Sequence, residues 1–457
     1  MMIRMEKIAI TKDDIFLKAR MISEGVNLQI SEDLSPEQYR SWILGKAANA
    51  EQVKIPEKLD FSDPESIIAL FAEVNKTDIS SDFRQEIIFD NSGIRAPVYP
   101  NKRSRLDFLI EGENVTVSED GKILVTGEFL KRLDWLDKKL SNGLPVSTVL
   151  PSMSAAIINV VFNLSCMNFN TNRGCRYCNL FANPISRKIS ILPMDTLRLW
   201  AKYQGEAIKI AINNGWNGIL AISGGAFAPA QRGEYLERLT LVLDIIKEAI
   251  GNKMYETLPK VYNHYPPEDF SDMYKWKEMG INTTSFDLEV MDDAYFAAIC
   301  PGKVAYKPLS YLKKAQEYSV EVFGPLFGTI SCVVMGIEPM SCLVEGFDER
   351  MSKGVLPLPL VFHPEPGSAY EGFRNPTAEW IVEASEKMAN SFMKYLLKWL
   401  KPALDRAKEM RGDIYDFSAG STPTTRLSVV FDEIGIRLNK VLGGRSVSEL
   451  MEGKKKK

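Results

Sequence analysis

Histidine is almost absent from this chain, with only His264 and His363 among 457 residues. A metal site or proton relay built mainly from imidazole is therefore excluded, and any metal must find other ligands. Long apolar runs are missing as well. No stretch of about 18 apolar residues occurs, and the opening MMIRMEKIAITKDDIF lacks the apolar core of a secretory signal. The expectation is a cytoplasmic protein with no membrane partner. Neither sign of charge dominates: 56 Lys and Arg against 59 Asp and Glu give a formal charge of -3. No global positive field is available to hold nucleic acid, so a nucleic-acid substrate would need a local basic patch. Six cysteines are too few for a disulfide scaffold, and clustered ones in a reducing compartment point to metal or redox chemistry. Repeats and low-complexity segments are missing except for the lysine tail at 454–457, which reads as a solvated end.

What is present is an ordinary globular composition, 45% hydrophobic and 25% charged, long enough for two or three domains. From about residue 155, β-branched apolar runs alternate with helical patterns, the signature of parallel βα units. The strands are expected at 155–164, 218–223, 260–264, 283–290, 329–335 and 355–363. The helices that follow them fall at 195–214, 234–250, 268–279, 307–318, 340–353 and 377–400. Six such units with right-handed crossovers form an α/β fold, either an open doubly wound sheet or a partial barrel. In both, ligands bind at the carboxyl ends of the strands. That rule selects the cysteine loop 166–178, Gly224 and Gly225, His264, Glu289, Glu338 and His363. Residues 1–150 read as a separate α+β region, with a helix at 36–50 and a hairpin turning at Asp120-Gly121. Residues 401–457 form a C-terminal extension: a charged helix, a turn-rich stretch at 418–425 and a β-like run, LSVVF, packing on the barrel side or on the N-terminal region. The stripe Phe392, Tyr395, Leu396 and Trp399, with Trp380, has helical spacing and reads as core.

The strongest chemical signal is Cys166, Cys175 and Cys178, spaced C-x8-C-x2-C after a buried strand. Thiolates this close in sequence share a metal group, and both zinc and an iron-sulfur cube want four ligands. A closed zinc knuckle usually shows a second C-x2-C pair, which this chain lacks. The alternative is a [4Fe-4S] cube with three cysteine ligands and one iron left to chelate a small molecule. Cys300, Cys332 and Cys342 read as small buried residues, although Cys332, inside a strand, could hold a second cluster.

Over roughly residues 155–370 the sequence resembles the radical S-adenosylmethionine (radical SAM) superfamily, as an atypical member whose first cysteine gap is five residues longer than the usual C-x3-C-x2-C. The resemblance implies a partial (β/α)6 TIM-like barrel, with a [4Fe-4S] cluster on Cys166, Cys175 and Cys178 and Tyr177 as the aromatic between the last two. Ser223-Gly224-Gly225 resembles the element that meets the amino group of S-adenosylmethionine, with Ala226 in place of its acid. Asp287 and Glu289 resemble the acidic position on the ribose, and Glu338 the element beside the adenine. The segments 299–303 and 363–368 resemble loops of the biotin synthase-like and lipoyl synthase-like branch, which makes His363 a candidate substrate contact or proton donor. The implied activity is reductive cleavage of S-adenosylmethionine and abstraction of a hydrogen atom from an unidentified substrate, a small molecule or a peptide. Reduced flavodoxin or ferredoxin would be the electron donor. Cobalamin-dependent methyl transfer lacks a D-x-H-x-x-G element in the N-terminal region to support it. Two other classes stay open at this level, a pure iron-sulfur electron carrier and a zinc-bearing scaffold protein.

Overall fold

The computed structural model describes residues 10–29, 63–76, 86–130, 133–150, 157–163, 166–180, 191–227, 233–411 and 426–442. The expected helix at 36–50, the turn-rich stretch at 418–425 and the lysine tail lie outside the described residues.

Six strands form one all-parallel sheet: β7 (Ile157–Asn163), β8 (Ile219–Gly224), β9 (Lys260–Asn263), β10 (Thr283–Ser285), β11 (Leu326–Met335) and β12 (Val355–Val361). They lie side by side in chain order. A doubly wound sheet would reverse its order partway, so this sequential order is that of a partial barrel. The helices Met194–Asn213, Tyr235–Ile250, Leu309–Phe323 and Met340–Ser352 follow β7, β8, β10 and β11, and bury their apolar stripes against the sheet. Each expected strand is found, with one difference of substance. β10 keeps only three residues of the expected 283–290, and the chain then leaves the sheet through Phe286-Asp287-Leu288 before touching β11 again in an isolated bridge between Glu289 and Val333. Glu289 is left-handed there, with φ of 68°, which an uninterrupted strand does not allow.

The N-terminal part carries a second, mixed sheet ordered β1-β4-β5-β6-β2-β3. Its strands are β1 (Asn27–Gln29), β2 (Glu86–Phe89), β3 (Arg95–Pro97), β4 (Asp107–Glu111), β5 (Asn114–Glu119) and β6 (Lys122–Phe129). The β5–β6 hairpin turns at Asp120-Gly121 as expected, with φ of 49° and 76°. The LSVVF run is not a strand: a helix begins within it, Val430–Leu442. Its only strand-like feature is the Leu427 carbonyl, which accepts from the Val361 amide at the edge of β12. Helix won because Asp432 and Glu433 occupy the first turn, where their charge suits the helix dipole and both find cations.

The helix Lys12–Glu24, the N-terminal sheet, the long helix Ala378–Arg411 and the second half of the barrel share one apolar core, which includes Ile15, Phe89, Phe108, Met335, Phe392 and Val430. The first half of the barrel fills another, around Phe162, Trp200, Tyr262 and Trp276. Two ion pairs, one buried and one half-exposed at its lysine, tie the first described helix to the last. Lys18 Nζ bonds Asp432 at 2.6 Å, and Lys12 Nζ reaches Glu433 at 2.6 Å. The aromatic stripe on the long helix is core at Phe392 and Leu396, while Trp399 Nε1 donates to the Met351 carbonyl at 2.8 Å. Among the described residues, no helix is long and apolar enough to cross a membrane.

Candidate active site at the barrel rim

Beyond the carboxyl end of β7 the chain makes a short helical turn, Met167–Asn170, with Cys166 at its N-cap position, and then a loop carrying Cys175 and Cys178. All three thiols line one cavity of about 530 Å³, a volume ordinary for a small-ligand site. Tyr177, Gly224, Gly225, His264, Asp287 and Glu289 line the same cavity, so most of the residues singled out from the sequence come together there.

Short-range geometry explains how the rim is built. Gly225 N donates to the Asn163 carbonyl at 3.0 Å, and Asn163 Nδ2 donates back to the Gly225 carbonyl at 2.7 Å. The same carbonyl meets His264 Nε2 at 3.0 Å. A Cβ on Gly224 would sit 2.8 Å from the Asn163 carbonyl oxygen, so only glycine permits this approach of the two strand ends. His264 thereby works as a rim fastener, and burial pulls its pKa down to about 4, which keeps it neutral.

Electrostatically the cavity floor is a set of buried opposite charges. Lys303 Nζ donates to Glu289 Oε1 at 2.6 Å and to the Asp287 carbonyl at 2.8 Å. Burial opposes the charge on Lys303, but Glu289 and its other neighbours outweigh this and hold its pKa well above the ordinary value. Asp287 Oδ1 accepts from Ser285 Oγ at 2.5 Å and from the Cys332 amide at 2.8 Å. Burial, reinforced by Glu289, pushes Asp287 up to about 6. Burial, reinforced by the charge of Glu289, raises the Tyr177 hydroxyl well above the usual tyrosine range. Among the thiols, burial pushes Cys178 up to about 12 and also raises Cys166. Cys175 is lowered, first by its neighbour Cys300 and then by the charge of Lys303.

Does this donor set fit the implied cluster? Among the described residues, no group of three His, Cys, Asp or Glu side chains converges as a single metal ion would require. A [4Fe-4S] cube makes no such demand, because each thiolate binds its own iron at a separate corner. Three cysteines spread around one cavity, with Lys303 to balance thiolate charge, suit a cube better than a mononuclear zinc site.

Two predicted residues do not join the cavity. His363 follows β12, but its ring stacks on Tyr99 with centroids 3.7 Å apart and planes 6° from parallel, while Asn375 Nδ2 lies 3.4 Å from Nδ1. Burial pulls its pKa down to about 4, so it is a neutral packing residue between the N-terminal region and the barrel, in place of the expected substrate contact. Glu338 turns away from the cavity. Its carboxylate accepts from the Met291 amide at 2.9 and 3.0 Å and from the Asp292 amide at 3.2 Å, holding the segment that follows Glu289. The adenine-side role expected for it is replaced by this backbone contact. Conversely, Lys303 lines the cavity without having been singled out for it. The sequence signal is Cys-Pro-Gly-Lys at 300–303: Pro301 starts a helix, and Gly302 lets that turn press against Asn168 and Arg173.

A parallel barrel in chain order, with three cysteines and paired carboxylates on the cavity at its carboxyl rim, defines an enzyme of the radical SAM class. Over 392 residues, 85% of this chain and 87% of the other, the sequence is 37% identical to the bacteriochlorophyllide c C-7(1)-hydroxylase of Chlorobaculum limnaeum. The chain belongs to the family of that hydroxylase, within the radical SAM superfamily. The FeFe-hydrogenase maturase HydG from Carboxydothermus hydrogenoformans aligns over 60% of this chain and 66% of its own at 10% identity and a TM-score of 0.35, too distant to carry an argument. No protein-family model matches the chain. Family membership implies a [4Fe-4S] cluster and S-adenosylmethionine.

Proposed function

We propose that this protein is a radical SAM hydroxylase that converts a C–H bond on a peripheral alkyl substituent of a bacteriochlorophyllide-type macrocycle into C–OH. The observation that carries this reading is the 37% identity to a hydroxylase of that substrate class along nearly the whole of both chains. The cavity supports it. At about 530 Å³ it suits one cofactor-sized ligand, and a large flat macrocycle would present only an edge substituent from the mouth.

In this reading Cys166, Cys175 and Cys178 hold the cluster, which when bound supplies the electron that cleaves S-adenosylmethionine. Gly224 and Gly225 present backbone groups to its amino end. Glu289, oriented by Lys303, and Asp287 beside it serve the ribose hydroxyls. The net chemistry balances without dioxygen. S-adenosylmethionine, the substrate C–H and water become methionine, 5′-deoxyadenosine, the alcohol and one proton. The sulfonium takes up the two electrons that the carbon gives. The walls must therefore admit water to the carbon only after the hydrogen has left, a task for the apolar and aromatic lining around Phe286, Tyr265 and Trp200. The electron donor in this reading is a reduced flavodoxin or ferredoxin.

The test is anaerobic reconstitution, reduction with dithionite, and addition of S-adenosylmethionine with bacteriochlorophyllide c in water enriched in oxygen-18. The expected result is 5′-deoxyadenosine formed in step with an oxygenated macrocycle carrying the heavy isotope. Release of 5′-deoxyadenosine that the macrocycle does not stimulate, with no oxygenated product, overturns the substrate assignment. A preparation that holds zinc and no iron overturns the cluster.

A further inference from the structure

Tyr265 lines the cavity just beyond the end of β9, between the glycines at the end of β8 and the carboxylates that follow β10. Nothing in the chemistry above uses its hydroxyl. The side chain is held from several sides. The Tyr306 ring packs on it at 4.9 Å between centroids, and the His264 ring meets it edge-on at 5.6 Å. Asn168 Nδ2 donates to its hydroxyl oxygen at 3.0 Å. Asn168 is buried in the helical turn that follows Cys166, where its carbonyl accepts from Arg173 N at 2.6 Å. The hydroxyl therefore keeps a fixed place relative to the cysteine loop. Because Asn168 occupies a lone pair of the phenol oxygen, what the phenol has left to offer is its proton, and among the described residues that proton has no acceptor. Burial raises the Tyr265 pKa above the ordinary tyrosine range, which keeps the proton on.

We propose that Tyr265 binds the carboxylate of S-adenosylmethionine by donating its O–H to it, with Asn168 holding the phenol in place. The inference rests on the cluster and S-adenosylmethionine reading above. An iron with an open position is chelated by neighbouring lone-pair donors, which in S-adenosylmethionine are the amino and carboxylate groups. That end of the molecule belongs beside the cysteine loop, the part of the rim to which Asn168 ties the phenol. The carboxylate needs hydrogen-bond donors, and the cavity has no free cation for it. Lys303 is the sole Lys or Arg among the described residues lining the cavity, and its Nζ is already bonded to Glu289 and to the Asp287 carbonyl. Other parts of the molecule suit the phenol less. The ammonium and sulfonium groups are positive and accept nothing, and the ribose hydroxyls have Glu289 and Asp287. A neutral O–H serves a carboxylate here without burying a second cation, and a hydrogen bond to a charged acceptor is roughly twice as strong as one between neutral groups.

The experiment is a binding cycle that removes the phenol hydroxyl from the protein and the carboxylate from the ligand. Wild type and Tyr265→Phe are reconstituted anaerobically and their iron and sulfide counted. Affinities for S-adenosylmethionine and for decarboxylated S-adenosylmethionine are then measured by equilibrium dialysis without a reductant, so that no cleavage occurs. The expected result is an unchanged iron content, S-adenosylmethionine binding roughly tenfold weaker in Tyr265→Phe through loss of one hydrogen bond to a charged acceptor, and equal affinities of the two proteins for the decarboxylated ligand. Whatever the carboxylate contributes at the iron is present in both proteins and cancels in the comparison. An unchanged affinity for S-adenosylmethionine overturns the role of Tyr265. Equal weakening for both ligands overturns it too, since the phenol would then shape the cavity without meeting the carboxylate. In either case the cluster and S-adenosylmethionine reading stands. A wild-type protein that holds iron and binds neither ligand overturns that reading, and with it the inference.

Discussion

Glu338 gives a prediction whose sign and size follow from its position. It is 5% exposed and accepts from the Met291 and Asp292 amides, with no ion pair among the described residues. Those donors favour the carboxylate, but burial outweighs them and pushes Glu338 up to about 7 from 4.5. The folded protein therefore holds this proton between about pH 4.5 and pH 7, where the unfolded chain has released it. Stability from this group is fully present below the lower value and is lost as pH rises through the upper one. The gap corresponds to about 3 kcal/mol over the whole window, of which about 2 to 3 kcal/mol falls between about pH 5 and pH 8.5. Glu338→Gln keeps an acceptor for the amides and removes the titration. Urea unfolding of the reconstituted protein, followed by circular dichroism without oxygen at both pH values, should show wild type losing that amount relative to the variant as pH rises. A constant penalty from the imperfect amide is harmless, because only the change with pH is read. Parallel stability curves for the two proteins would refute the burial argument.

Lys303→Met leaves Glu289, whose side chain is 12% exposed, facing Asp287 with no cation between them. Removing one member of a buried pair costs about 3–5 kcal/mol in a closed interior. Because the cavity is open to solvent, only part of that should appear, and S-adenosylmethionine affinity by equilibrium dialysis at pH 8 should weaken at least about tenfold. Lys303→Arg should recover part of the loss, and an affinity unchanged in the methionine variant would remove Lys303 from the site. Gly224→Ala drives a methyl group to within 2.8 Å of the Asn163 carbonyl, whereas Gly233→Ala meets nothing within 4 Å. The first should lower stability by about 1–3 kcal/mol and abolish binding of S-adenosylmethionine, while the second is silent in both assays. Equal effects of the two would show that the close approach of the strand ends does not shape the rim.

The barrel was legible because a parallel strand buried on both faces leaves a plain apolar run, and a helix leaves a period close to 3.6. Where the sequence-based boundary was wrong, a competing requirement explains it. Thr283, Thr284 and Ser285 stay in β10, but Asp287 and Glu289 would bury two carboxylates in an unbroken strand. The chain leaves the sheet there so that Ser285, the Cys332 amide and Lys303 can meet them. LSVVF carries β-branched residues, yet the acidic pair behind it answers Lys18 and Lys12 from the N-terminal helix, a contact between opposite ends of the chain that no local window contains.

The same limit governs the site. Strand-end position identifies the whole rim, but a rim runs around a circle and only part of it faces one cavity. Cys166, Gly224, Asp287 and Glu289 follow or end β7, β8 and β10, which with β9 make a contiguous run of four strands, and they converge. His363 and Glu338 lie beyond β12 and β11, where the N-terminal region and the Met291 backbone have claimed them. Lys303 stands on no strand end and escapes the rule altogether. It arrives because Arg176 and Gly302 use their backbone amides to dock one helix start onto the cysteine loop. What sequence does offer is the combination of Pro301 and Gly302 directly after a cysteine: a helix start that lets a second backbone come close is a place where that cysteine will have a neighbour.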